Sequence, residues 1–343
     1  MLIKKCRSCN SKKISKLFSL GNLSFTGKFA TSIKKNIPSS DLSLIKCSKC
    51  HLVQLGRNFN IKYLYGSDYG YRTGINSTMT NHMKKVCAKL SKTVDLKKND
   101  AVLDIASNDG TLLNFYNKNV FTVGIDPTIK KYKKYYSKIN LPISDFFSFD
   151  KIKKKTKKKF KIISALSVFY DVKDPNVFLN EACNLLDENG ILMLEQADLS
   201  SIIKYKMFDT ICHEHLEYYS HEVIFQLAKK NNLKIFNMIA NDINGGSTQY
   251  YFCKKSSKYK VNNRIIDSFL SKEKKLKLKD VQTYKDFFKQ IETVSKNLRN
   301  LLIKFKEQKK IIHGYGASTK GNVLLQYFRI GKDFIDCISD RNP

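Results

Sequence analysis

Apolar positions recur along this chain at two alternating spacings, and the switches between them predict its elements. From Asp100 onward, short apolar runs of strand character alternate with helical stretches. AVLDIA reads as a strand, and GTLLNFY opens a helix after it. FTVGID and KIISAL read as two more strands, DPNVFLNEACNLL as a helix and GILMLEQ as a strand. Strands alternating with helices of this length predict βαβ units and a parallel sheet. Ahead of this region, residues 75–91 carry helical spacing. Behind it, residues 255–310 place Ile265, Phe269, Leu276, Phe287, Ile291, Val294, Leu298, Leu301, Leu302 and Phe305 at the spacing of one or two long amphipathic helices. KIIHGYGASTKGNVLLQYF then reads as strand, glycine turn and helix, and DFIDCISD as a last strand. A single β-α-β unit is too small to close a core of its own.

Length and charge narrow this picture. The 343 residues, 42% of them hydrophobic, suffice for two or three globular domains. No run approaches the roughly 18 apolar residues of a membrane span, and the N-terminus lacks the apolar core of a signal peptide. The expected address is the cytoplasm, with no membrane partner. The formal charge of +32 suggests nucleic acid, but only seven of the 62 basic residues are Arg. Arg is the favoured side chain for phosphate forks and base edges. The Lys runs therefore read as solvated faces, compatible with an anionic small substrate and without a nucleic-acid partner.

Four of the nine cysteines form two C-x-x-C knuckles, Cys6/Cys9 and Cys47/Cys50, 37 residues apart. Two intervening residues turn both thiolates of a pair inward, so the set predicts one closed, structural Zn²⁺ site. Neighbouring His51 is a bystander in this reading. Cys87, Cys183, Cys212, Cys253 and Cys337 read as buried free thiols. VLDIASNDGTLL places Asp104 at the end of a strand and Asn108, Asp109 and Gly110 in the following turn. Asp126 ends the next strand, where a carboxylate can accept both hydroxyls of a ribose. Such a turn lies at the ligand crevice of a doubly wound sheet. It lacks G-x-G-x-x-G, which favours S-adenosylmethionine over a pyrophosphate; an ordinary βαβ turn is the plainer reading. FDTICHEHLEYYS packs His213, Glu214 and His215 together. Adjacent histidines on a loop suit acid–base work better than metal, a carboxylate orienting an imidazole of near-neutral pKa; a polar loop capping the sheet is the alternative. NDINGGSTQYYF predicts a hairpin turn at Asn244, Gly245 and Gly246. GYGASTKGN places Tyr315 and Lys320 at a helix N-terminus suited to an anion.

Taken in order, these elements resemble the zinc-containing, S-adenosylmethionine-dependent sugar C-methyltransferases of deoxysugar biosynthesis. The resemblance is carried by CSKCHLVQL, YGYRTGINSTMTNHM, DIASNDGTLL, SVFYDVKDPNVFL, FDTICHEHLEYYS, NGGST and GYGASTKGN. It implies an α/β fold in three parts: a zinc-binding module over 1–65, a class I (Rossmann-like) methyltransferase core over 66–254, and a helical linker with an incomplete Rossmann-like domain over 255–343. It further implies methyl transfer to the carbon beside the keto group of a nucleotide-diphosphate 4-keto sugar, through an enolate. His215 matches the general base, with Glu214, Tyr71 and His213 as neighbours. Asp104, Ala106, Asn108, Asp109, Gly110, Asp126, Asp145, Phe146 and Ser167 match cofactor positions. Tyr69, Asn244, Gly245, Gly246, Tyr315 and Lys320 match substrate positions. Ala106 stands where many members carry Gly, Cys212 where some carry Tyr, and a His of other members falls near Asp171. Relatives also continue past SDRNP, which predicts a C-terminal domain cut short. A methyltransferase of RNA or of another small molecule with a zinc docking module, or a truncated remnant without turnover, are the competing readings.

Overall fold

The computed structural model describes residues 1–30, 32, 36–66 and 69–340. Ser67 and Asp68 of the Tyr-rich connector and the last three residues of SDRNP lie outside the described residues. The chain begins with strands β1 (Ile14–Ser24), β2 (Ser39–Cys47) and β3 (Val53–Leu55), followed by helices α1 (Ile61–Leu64) and α2 (Ser77–Val94). Strands β4 (Ala101–Ile105), β5 (Phe121–Ile125) and β6 (Leu141–Ile143) lead to α3 (Phe149–Lys155), β7 (Phe160–Leu166), α4 (Pro175–Leu185), β8 (Leu186–Gln196) and α5 (Leu199–Tyr205). The remainder is β9 (Glu217–Tyr218), α6 (His221–Lys230), β10 (Leu233–Asn241), β11 (Ser247–Lys254), α7 (Asn263–Lys275), α8 (Val281–Glu307), β12 (His313–Tyr315), α9 (Thr319–Tyr327) and β13 (Cys337–Ser339).

These elements form two compact units, one of residues 65–198 and 221–272, the other of residues 1–64, 199–220 and 273–343. The first is built on a seven-stranded sheet ordered β10-β11-β8-β7-β4-β5-β6. Its strands β8, β7, β4, β5 and β6 run parallel, while β11 is antiparallel to both β8 and β10. A parallel sheet closed by one reversed strand is the class I methyltransferase sheet. All five residues of β4 are buried, as expected of a strand covered on both faces. Helix α2 buries Met79, Met83, Val86, Cys87 and Leu90, a stripe at spacings of three and four that joins Val102, Ile162 and Met193 in the core. Asn76 caps its start by accepting from the Met79 N–H, and Asp95 ends it in left-handed conformation. Asp174 and Pro175 start α4 in the same way.

The other unit is built on an antiparallel sheet ordered β1-β2-β3-β9 and a two-stranded parallel sheet of β12 and β13. Its core joins Phe18, Leu42 and Val53 of the hairpin region to Phe208 and Ile211, to Phe287 and Ile291 of α8, and to Val323 and Phe328 around α9. Phe18 stacks on Phe288 with centroids 4.9 Å apart, and Phe208 stacks on Phe328 at the same separation.

Two expectations are revised here. The helix read from GTLLNFY is only a 3₁₀ turn at Leu113–Phe115. By packing, the compact units number two, since the C-terminal β-α-β shares its core with the zinc-module hairpin in a single unit. That unit also takes in 199–220, a segment expected inside the methyltransferase core. Cys87, Cys183, Cys212 and Cys253 are buried as read, whereas Cys337 is exposed. Among the described residues no helix is long and apolar enough to cross a membrane.

Candidate functional site

In the hairpin unit, Cys6, Cys9, Cys47 and Cys50 converge, all four Sγ atoms lying within 4.8 Å of one another. Cys6 and Cys50 are 3.5 Å apart and Cys9 and Cys47 3.6 Å. Four Zn–S bonds of about 2.3 Å in a tetrahedron set sulfurs about 3.8 Å apart, so the donor set fits zinc without rearrangement. The Lys49 N–H points at the Cys47 Sγ from 3.4 Å, a partner that suits a thiolate. His51 stands outside the set. Inside the first knuckle, Arg7 is buried and sends its guanidinium to the carbonyls of Leu55, Leu216 and Arg57 and to Asn58 Oδ1, with Glu217 at 3.5 Å. One side chain thus ties the knuckle to β9 of the returning segment. The sequence offered a faint signal for it: an Arg between paired cysteines in a chain that almost always uses Lys.

The His-Glu-His loop lies in the same unit, and its two imidazoles are in opposite states. His213 has no exposed surface; its Nδ1 accepts from the Thr26 N–H at 3.3 Å, so its Nε2 carries the proton and donates to the Ser40 carbonyl at 3.4 Å. Phe25 and Phe59 pack edge-on against the ring. Burial pulls its pKa down to about 4. His215 points the other way: its Nδ1 lies 2.8 Å from the Thr210 carbonyl, which can only accept, so the proton sits on Nδ1 and the lone pair on Nε2. Burial and then the charge of Lys320 push its pKa down to about 3. The expectation of a near-neutral imidazole oriented by a carboxylate is therefore corrected. A backbone carbonyl orients His215, and burial holds it neutral far below neutrality. Glu214 is buried, its Oε2 accepting from Thr26 Oγ1 at 3.3 Å, and burial raises its pKa. Gly27 makes room for it, since a Cβ there would overlap the Glu214 carboxyl and stand 3.5 Å from Thr319 Oγ1.

Loop 213–215, segment 26–28 and the N-terminus of α9 are thus neighbours. Asn322 Nδ2 donates to the Thr26 carbonyl at 2.9 Å, and Ser318 caps α9 by accepting from the Gly321 N–H. Asp340 Oδ2 accepts from the Ala317 N–H of this turn at 2.6 Å. Tyr315 is 73% exposed. Thr26, Gly27 and Lys28 were not singled out from sequence, because nothing local distinguishes FTGKF from any polar turn.

The predicted cofactor residues gather in the methyltransferase unit at the carboxyl ends of β4, β5, β6 and β7. Ala106, Asn108 and Gly110 have φ of 58°, 50° and 74°, and Ser167 after β7 has 54°. These left-handed residues turn the chain sharply out of each strand. Asp104 is buried and accepts from Ser164 Oγ at 2.6 Å; burial pushes its pKa up to about 7. Asp126 uses Oδ1 for the Thr128 N–H and hydroxyl, and Oδ2 for the Asn108 N–H at 3.0 Å. That leaves acceptor capacity on Oδ2 for a further donor such as a ribose hydroxyl. The side chains of Asn108 and Asp109 hold the connector. Asn108 Oδ1 accepts from Thr73 N–H at 2.8 Å, its Nδ2 donates to the Tyr71 carbonyl at 3.1 Å, and Asp109 Oδ2 accepts from Gly74 N–H at 2.9 Å. Tyr71 is 47% exposed above this clamp, and the Tyr69 carbonyl accepts from Lys131. Asp145 accepts from the Phe146 N–H and from Lys151. Asn244, Gly245 and Gly246 form the β10–β11 turn, where Asn244 Nδ2 reaches Ser167 Oγ at 3.3 Å. Acidic groups at two strand ends, one with a free lone pair beside left-handed turns, suit a ligand with a ribose diol and a cationic centre. The predicted residues therefore fall into two constellations: Tyr71, Tyr69 and the cofactor set in one unit, and zinc, the His-Glu-His loop, Tyr315 and Lys320 in the other.

Comparison with known proteins divides the chain into three consecutive stretches. Residues 6–65 match the family described as "Putative zinc binding domain", 75–237 a methyltransferase domain, and 242–343 a C-methyltransferase C-terminal domain. The C-methyltransferase NovU of Streptomyces niveus is 24% identical over 302 residues, covering 87% of this chain and 71% of NovU. Among solved structures, an S-adenosylmethionine-dependent methyltransferase of Clostridium acetobutylicum matches 51% of this chain and 92% of its own, at 13% identity and a TM-score of 0.42. Magnesium protoporphyrin IX methyltransferase of Synechocystis PCC 6803, with bound S-adenosylhomocysteine, matches 52% of this chain and 88% of its own, at 14% identity and a TM-score of 0.39.

Proposed function

We propose that this chain, an S-adenosylmethionine-dependent C-methyltransferase with a zinc-binding module, methylates the carbon beside the keto group of a nucleotide-diphosphate 4-keto sugar through an enolate. The observation that carries this reading is the state of His215. A neutral imidazole with its proton on Nδ1, held by the Thr210 carbonyl, presents Nε2 as a proton acceptor. Carbon methylation needs such an acceptor, because a C–H carbon becomes nucleophilic only once its proton is gone. Lys320 beside it suits an anionic substrate; burial lowers the His215 pKa first and Lys320 second, and a diphosphate there offsets the second cause, so binding raises the proton affinity of the base. Protonated Glu214, favoured by burial, can donate to the developing oxyanion. His213, with both nitrogens engaged, is a strut that positions the loop.

S-adenosylmethionine, when bound, supplies an electrophilic methyl on a sulfonium. Asp126 Oδ2 accepts from a ribose hydroxyl, buried Asp104 supports the turn, and Asp145, Phe146 and Ser167 border the same edge. Asn108 and Asp109 act through the connector, fixing Tyr71. The test is exchange of the substrate's α-hydrogen with deuterated solvent. His215→Asn should keep cofactor affinity, lose exchange, and lose about 10² to 10⁴ in turnover. Exchange at the wild-type rate in that variant would assign the base elsewhere.

A further inference from the structure

The methyltransferase unit contains a histidine whose tautomer the fold dictates and to which the proposed function gives no part. His82, on α2, lies with Nε2 at 2.7 Å and 2.9 Å from the two oxygens of Glu195. Glu195 is the penultimate residue of β8 and is buried. Its Oε2 also accepts from Gln249 Nε2 at 2.5 Å and Asn241 Nδ2 at 3.2 Å. A carboxylate has only lone pairs to offer, so Nε2 of His82 is held as the donor, and that tautomer places the ring's lone pair on Nδ1. It has no hydrogen-bond partner among the described residues, and 12% of the side chain is exposed.

The place of this dyad gives it meaning. The Glu195 carbonyl accepts from the Ser167 N–H at 2.7 Å, and Ser167 Oγ accepts from Asn244. The dyad therefore stands at the carboxyl edge of the parallel strands, where such sheets bind ligands. A sheet core has no need of a carboxylate and imidazole; apolar side chains at His82 and Glu195 would pack at lower desolvation cost.

We propose that His82 is an acceptor-binding residue of the methyltransferase unit, its Nδ1 accepting a hydrogen bond from a hydroxyl or amine hydrogen of the methyl acceptor, with Glu195 as the positioning residue that fixes the tautomer. The inference rests on the proposed function only in requiring an acceptor that carries such a donor.

Two variants separate binding from folding. His82→Gln places an amide N–H where Nε2 was and keeps Glu195 paired, but leaves no acceptor at the Nδ1 position. His82→Asn places an amide oxygen near Nδ1 and unpairs Glu195. The full-length, zinc-loaded protein is assayed with dTDP-, UDP-, GDP- and CDP-linked 4-keto-6-deoxyhexoses. On the sugar that wild type methylates, His82→Gln should keep its melting temperature and S-adenosylhomocysteine affinity and lose about tenfold or more in kcat/KM, mostly through KM. His82→Asn should lose stability first. Wild-type kcat/KM in His82→Gln overturns the proposal. Histidine ¹⁵N NMR of the full chain needs no sugar: His82 should show a protonated Nε2 that Glu195→Gln randomises, and a proton resident on Nδ1 overturns the proposal. If no sugar is methylated, the substrate reading fails and the tautomer alone decides the case for His82.

Discussion

Gly27→Ala tests whether the His-Glu-His loop and segment 26–28 are packed as one body. A Cβ at residue 27 would overlap Oε1 of Glu214 and stand 2.9 Å from its Cδ. The carboxyl cannot simply swing aside, because it is buried and its Oε2 accepts from Thr26 Oγ1 at 3.3 Å. Overpacking of this kind costs about 1–3 kcal/mol, and the strained hydrogen bond adds about 1 kcal/mol. A net loss of about 2–4 kcal/mol at the few-degrees-per-kcal sensitivity of a unit this size lowers its melting temperature by about 4–16 °C. Differential scanning calorimetry on the zinc-loaded chain reads this in the transition that a chelator displaces, which reports the zinc-bearing unit. Glu214→Asp withdraws the carboxyl by one methylene, so the double variant should lose at least about 1 kcal/mol less than the sum of the single losses. Strictly additive losses, or a Gly27→Ala protein as stable as wild type, would refute the packing.

Further outcomes follow from the two constellations. Asp126→Ala should weaken S-adenosylmethionine binding by about 1–3 kcal/mol, the loss of one charge-assisted hydrogen bond, and calorimetric titration showing unchanged affinity removes it from the site. Metal analysis should return one zinc per chain, and Cys47→Ser should lower soluble yield more than cofactor affinity, since the metal's binding energy is folding energy; less than half an equivalent of zinc in unchelated protein contradicts the site. His213 and His215 are held neutral, with pKa values near 4 and 3, but take up protons below about pH 6.5 once unfolded. Their contribution is full above about pH 6.5 and is lost as pH falls toward 4, at up to about 1.4 kcal/mol per pH unit for each. Denaturant titrations of His213→Asn between pH 7 and pH 4 should show a slope shallower by one proton, and an unchanged slope contradicts its buried neutral state.

What the sequence determined by itself was local. Four of the five parallel strands between Ala101 and Gln196, all but β6, follow from apolar runs, α2 and α8 from their stripes, and the hairpin turn at Asn244–Gly246 from its glycines. The cysteine site was legible too, because C-x-x-C geometry is set within four residues. GTLLNFY misled because an apolar run has no period long enough to separate a helix from a single turn. Tertiary structure alone decided the rest. The roles of Asn108 and Asp109 depend on Thr73 and Gly74, more than thirty residues earlier. The tautomers of His213, His215 and His82 depend on which acceptor or donor the fold brings to each ring nitrogen. The C-terminal β-α-β found its core on the N-terminal hairpin, through Phe18, Phe288 and Phe328, because so small a unit cannot bury its apolar face alone. Spacing along a chain encodes periodicity and short-range chelation; partners brought together by burial leave no local mark.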